Sequence, residues 1–232
     1  MKLPLKAIFF DWDHTLWDAE TNAVDTLSEL FFEFKLKEKF QVEFSEFQLH
    51  FQKINDRLWK EYQLGDLSQE ELRNSRFKMV FENFQILEDS DNFSNHFLYR
   101  NPRKKKLMAG AKDLVELLSN QFQLFILTNG FDEIQQIKVG ESDIANYFQK
   151  IYTPKNTGFK KPNPNFFEFV LKDTKLKKDE VVMVGDNLEV DILGAENVGI
   201  KAIHYTPTQD TNFKENKIKY LLELQELLVE QR

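Results

Sequence analysis

Lys6-Ala7-Ile8-Phe9-Phe10 runs directly into Asp11-Trp12-Asp13-His14-Thr15-Leu16-Trp17-Asp18. A short apolar run that stops at a carboxylate reads as a strand buried on both faces, as in a parallel sheet. The pattern returns downstream. Gln123–Leu127 ends at Thr128-Asn129-Gly130, residues 181–184 end at Gly185-Asp186, and residues 200–203 follow Gly199. Residues 150–152 are a shorter candidate. Between the runs, apolar residues recur at helical spacing over 110–120, 163–173, 188–197 and 215–230. Strands that alternate with helices predict an α/β fold with a Rossmann-like, mostly parallel sheet.

Residues 18–102 differ. Amphipathic helical patterns over 20–38, 45–62 and 68–87 follow one another with no convincing strand between them. Gly65-Asp66 marks a turn. The block reads as an all-helical insertion with its own small core, so residues 1–17 and 103–232 form the α/β core and 18–102 a second domain.

The chain has 232 residues, a net charge of −7 and no cysteine. This excludes a disulfide framework and thiolate zinc sites. The acidic balance argues against nucleic acid as a partner. Arg103-Lys104-Lys105-Lys106 reads as a solvated linker. No stretch approaches the ~20 apolar residues of a membrane helix, and residues 1–6 show no signal-peptide pattern, so the expectation is cytoplasmic. Nothing calls for more than a monomer. The 23 phenylalanines read as core, and Trp17, Trp59 and Tyr62 as helix packing.

Ligands of open α/β sheets bind beyond the carboxyl ends of the strands. Asp11, Asp13, Thr128, Asn129 and Asp186 stand at those ends, and Lys161 lies in a loop between them. Each has an ordinary reading as a turn former or loop residue; together they suit phosphoryl chemistry. Oxygen ligands fit a hard cation such as Mg²⁺, which is held by a few carboxylates and substrate phosphate. Asp11 could attack phosphorus to form an aspartyl-phosphate. Two close carboxylates do not both ionise easily. The expectation is that Asp11, bound to metal, stays ionised. Asp13 offers the metal its backbone carbonyl, and its side chain carries the proton for the leaving alcohol.

With these motifs the sequence resembles the haloacid dehalogenase-like hydrolase superfamily in its phosphatase branch. The motifs are Phe10-Asp11-Trp12-Asp13-His14-Thr15-Leu16, the strand ending at Thr128-Asn129-Gly130, Gly158-Phe159-Lys160-Lys161-Pro162, and Val184-Gly185-Asp186 followed by Asp191, Gly194 and Ala195. The resemblance implies Asp11 as nucleophile and Asp13 as acid/base. Thr128 and the Asn129 amide would be phosphoryl-oxygen ligands, and Lys161 the charge joining nucleophile and phosphate. Asp186 would bind metal with Asp11 and Asp13, with Asp191 orienting that ligand or a metal-bound water. It also implies Mg²⁺ as cofactor, a small phosphorylated metabolite as substrate, and a helical specificity cap at 18–102 hinged at 16–19 and 100–108. The wording at 14–18 is most like the pyrimidine 5′-nucleotidase group. Alternatives are a sugar-phosphate phosphatase, a phosphomutase, or an inactive binding protein. A dehalogenase needs no proton donor at the position of Asp13. Gly-x-Ser-x-Gly, Walker and Gly-x-Gly-x-x-Gly motifs are absent.

Overall fold

The structure, a computed structural model, describes residues 5–207 and 216–229. The chain splits into two compact units, Met1–Ala19 with Lys105–Arg232, and Glu20–Lys104.

The first unit is built on six parallel strands: β1 (Ala7–Phe10), β2 (Gln123–Leu127), β3 (Phe148–Tyr152), β4 (Val181–Gly185), β5 (Lys201–Tyr205) and β6 (Lys217–Ile218). Their order is β3-β2-β1-β4-β5-β6, so the α/β expectation is borne out. Strand side chains alternate between two cores. Ile8, Phe10, Leu124, Ile126, Val182 and Val184 face one that includes Leu114 and Leu118 of α6 (Ala111–Ser119). Ala7, Phe9, Phe125, Leu127, Val181 and Met183 face another that includes Phe166, Phe167 and Val170. Burial on both faces is why these strands carry no polar residue in alternation. The segments that leave and re-enter this unit are joined: Met108 N–H donates to Leu16 O at 2.9 Å and Asp18 N–H to Lys106 O at 3.1 Å.

One element corrects the sequence reading. The helix predicted over 215–230 is helical only at Glu223–Val229, and Lys217–Ile218 is a strand paired with His204–Tyr205. Residues 215 and 230 lie outside the described residues. Two strand residues are too few to show a period.

The second unit holds five α-helices: α1 (Ala19–Glu33, its first residue counted with the sheet unit), α2 (Leu36–Phe40), α3 (Phe44–Leu64), α4 (Gln69–Asn83) and α5 (Ser90–Arg100). The pattern at 20–38 divides because Lys35 is left-handed, φ 55°. α4 starts at a capping box in which Ser68 and Glu71 satisfy each other's backbone N–H groups. α5 was not anticipated; Asp89 caps it by accepting from the N–H groups of Asp91 and Asn92. The core is aromatic. The Phe93 ring lies 4.9, 5.2 and 5.0 Å from those of Phe77, Phe81 and Phe34. Replacing this fully buried ring by alanine removes its transfer energy and leaves a cavity. Phe93→Ala is expected to cost about 3–5 kcal/mol, read from urea unfolding.

Trp17 is in the sheet-unit core. Trp59 and Tyr62 meet edge to face at 5.6 Å on α3. The basic run is paired: Arg103 lies over the Tyr99 ring at 4.0 Å, Lys104 meets Glu29, and Lys105 reaches Glu141 at 3.8 Å.

Candidate active site

Strand order creates the site. β1 lies between β2 and β4, with Phe10 level with Ile126 on one side and Val184 on the other. Asp11 therefore emerges between Thr128-Asn129 and Gly185-Asp186. Its backbone N–H donates to Val184 O at 2.9 Å.

Lys161 ties these ends together. Its Nζ donates to Asp11 Oδ1 at 2.8 Å, Asp191 Oδ1 at 2.6 Å and Leu127 O at 2.6 Å. These use all three ammonium donors, and the side chain is 1% exposed. Asn129 fixes the loop that delivers it: Asn129 Nδ2 donates to Lys161 O, and Lys161 N–H donates to Asn129 Oδ1, both at 2.8 Å. The Asn129 side chain is thus a clamp on the lysine backbone. Thr128 Oγ1 accepts from Gly130 N–H at 3.0 Å, which leaves its own proton to donate.

Asp191 lies on a π-helical turn, Leu188–Leu193, that follows β4. Its Oδ2 accepts from Asn187 N–H at 3.1 Å. Gly185 makes room for it, because a Cβ there would fall 2.5 Å from Asp191 Oδ2. The Thr15 hydroxyl lies 3.3 Å from both Asp11 Oδ2 and Asp186 Oδ1. His204 Nε2 lies 2.7 Å from Asp186 O. Neither contact was anticipated. Thr15 stands inside the first motif, but no sequence pattern links His204 to Asp186.

Oxygens of Asp11, Asp186 and Asp191 lie within 4.8 Å of one another. The carboxylate of Asp13 is not in this group. It turns to α7 (Asp132–Glu141), where its Oδ1 meets Lys138 Nζ at 2.6 Å and its Oδ2 accepts from Gln135 Nε2 at 2.7 Å. Asp191 takes the third place.

The charges follow from this packing. Burial pushes the Asp11 carboxyl up to about 7 against the pull of Lys161, and Asp191 and Asp13 add to the rise. Burial raises Asp186 to about 6, with Asp11 contributing. Burial works against the Lys161 ammonium, but Asp11 and Asp191 hold it above the usual lysine range. Burial also acts to raise Asp13, but Lys138 and Gln135 outweigh it and hold that carboxyl below its ordinary value. The sequence expectation has the Asp13 side chain carry the proton; Lys138 and Gln135, which no sequence pattern placed beside it, favour its ionised form.

Three carboxylates around one ammonium leave a deficit of two positive charges. The donors are all oxygen, and burial and their mutual repulsion raise all three. This set fits a hard divalent cation such as Mg²⁺.

Residues 5–199 match the haloacid dehalogenase-like hydrolase family, and the chain belongs to that family of hydrolases. It is 29% identical to the pyrimidine 5′-nucleotidase PynA of Streptococcus pneumoniae, over 87% of this chain and 84% of that protein. It is 28% identical to the pyrimidine 5′-nucleotidase YjjG of Escherichia coli, over 83% and 82%. A magnesium-bound crystal structure of the HAD-hydrolase YfnB from Bacillus subtilis shares the fold with TM-score 0.87 at 24% identity, covering 98% of this chain and 100% of that one. Among the described residues, no helix is long and apolar enough to cross a membrane.

Proposed function

We propose that the protein is a Mg²⁺-dependent phosphatase that hydrolyses small phosphomonoesters through an aspartyl-phosphate on Asp11, with pyrimidine nucleoside 5′-monophosphates as the preferred class. The observation that carries this reading is the buried Asp11–Lys161–Asp191 array at the strand ends, with Asp186 beside it. The likeness to PynA and YjjG supports the nucleotide class.

Asp11, Asp186 and the backbone carbonyl of Asp13 would hold the cation, with Asp191 beside them. Bound there, Mg²⁺ supplies the positive charge that lets an anionic ester approach anionic oxygens. An Asp11 oxygen attacks phosphorus while the bond to the leaving oxygen breaks. Thr128 and the Asn129 backbone amide donate to the phosphoryl oxygens, and Lys161 neutralises Asp11 from behind. The leaving oxygen takes a proton from protonated Asp13. Water then attacks phosphorus and gives its proton back to Asp13, and Asp11 and phosphate are released. Ionised by the first transfer, Asp13 is the base for the second. The helical unit is assigned the role of cap, selecting the leaving group. Its insertion directly after the first motif supports that assignment.

A phosphate-release screen over nucleoside monophosphates and sugar phosphates, with Mg²⁺ and with EDTA, tests this. Free phosphate from pyrimidine 5′-monophosphates in Mg²⁺ only is expected. A rate indifferent to EDTA would remove the metal. Strong preference for a sugar phosphate would remove the nucleotide class, and an isomerised product would indicate a mutase.

A further inference from the structure

We infer that Lys138 and Gln135 are positioning residues that fix the Asp13 carboxylate for the proton transfers of hydrolysis. The inference rests on the acid/base reading of Asp13 given above.

Each Asp13 oxygen has its own donor, Lys138 at 2.6 Å on Oδ1 and Gln135 at 2.7 Å on Oδ2. Two bonds to two oxygens set the plane of a carboxylate, where one bond would leave it free to swing. The donors stand three residues apart, on one face of α7. That helix opens directly after Thr128-Asn129-Gly130, so one connection from β2 carries both the phosphoryl ligands and the Asp13 clamp.

The clamp is itself held. The Lys138 side chain is 9% exposed, and its Nζ lies 4.1 Å from the centre of the Trp17 ring. Trp17 is buried, and its backbone bridges to Asp13. The turn that presents Asp13 therefore also walls in its lysine. Gly130 opens the way for the amide: a Cβ there would fall 1.9 Å from Gln135 Nε2. The front of the carboxylate stays open. The Asp13 side chain is 27% exposed, while that of Asp11 is 11% and that of Asp191 is 1% exposed.

Folding alone gives no reason for this arrangement. Gln135 Oε1 is buried with no partner, a cost that an apolar side chain would avoid. A buried ion pair is weak evidence for stability, and apolar replacements of similar volume are often at least as stable. Misplacing a reacting group by about 1 Å can cost about 10²-fold in rate. The clamp is therefore expected to act on kcat.

The test is a double-mutant cycle between Lys138→Met and Asp13→Asn, measured by phosphate release in Mg²⁺. Lys138→Met is expected to lower kcat about 10–10²-fold with KM within about twofold. The loss should be larger for a nucleoside monophosphate than for p-nitrophenyl phosphate, whose leaving group needs less help from an acid. Lys138→Arg should recover most of it. In the Asp13→Asn background, Lys138→Met should change kcat by less than about twofold, since its action runs through Asp13. Full multiplicativity of the two losses, or a wild-type kcat in Lys138→Met, would overturn the inference while leaving Asp13 in place. An Asp13→Asn enzyme at wild-type rate would overturn the acid/base reading, and the inference with it. If Lys138→Met does not fold, Gln135→Leu enters the same cycle under the same criteria.

Discussion

Asp11→Asn is expected to release no phosphate above background from any monoester, with melting temperature equal to or above that of the wild type. The two halves of this result have separate causes. An amide oxygen is not a competent nucleophile, so the covalent route closes; phosphate monoesters are among the slowest substrates known, with enzymatic accelerations up to ~10²¹. The fold survives because the side-chain oxygen of asparagine can still accept from Lys161 Nζ, 2.8 Å away from Asp11 in the wild type. Burial already disfavours the ionised Asp11 carboxyl, so a neutral isostere relieves a crowded cluster of negative charge. Phosphate release and thermal unfolding, both on one preparation, check the two halves. Phosphate release near the wild-type rate would remove Asp11 from the mechanism.

Lys161→Met is expected to be inactive for a different reason and to lose stability as well. Its ammonium meets Asp11, Asp191 and Leu127 O in a site closed to solvent. Removing it leaves two carboxylates facing each other without their cation. Breaking a buried pair from one side typically costs about 3–5 kcal/mol. Turnover should fall by about 10³-fold or more, because charge stabilisation is the main contribution a protein makes to phosphoryl transfer. The contrast is diagnostic: Asp11→Asn keeps its melting temperature, whereas Lys161→Met loses it. Urea unfolding of both variants beside the wild type measures the difference. Equal stability of all three would show that Lys161 does not hold the cluster together.

The sequence made much of this legible, for a physical reason. A strand buried on both faces has no polar residue until it ends, so Asp11, Thr128 and Asp186 announce the rim of the sheet. Lys161 is legible as a candidate, but its triple contact is not, because 150 residues separate it from Asp11. The helix at Asp132–Glu141 escaped notice because its buried face is mostly polar: Gln135, Lys138 and Val139. A search for apolar periodicity passes over a face that points into an active site. For the same reason the partners of Asp13, which lie on that helix, are not legible in the sequence. In the helical unit, the left-handed residue Lys35 splits a pattern that reads as continuous. The short run of Phe93 and Phe97 gave too little period to reveal α5.

The order of the sheet has a consequence for biogenesis. β1 emerges first but pairs only with β2 and β4, and the whole helical unit is translated before Gln123 appears. At ~5–20 residues per second this leaves Ile8-Phe9-Phe10 unpaired for some 5–20 s. During that interval a hydrophobic segment with open hydrogen-bonding edges stands unpaired at the leading end of the nascent chain, ahead of the helical unit. The nascent chain should therefore be most prone to aggregation, and most dependent on chaperones, in the middle of its synthesis.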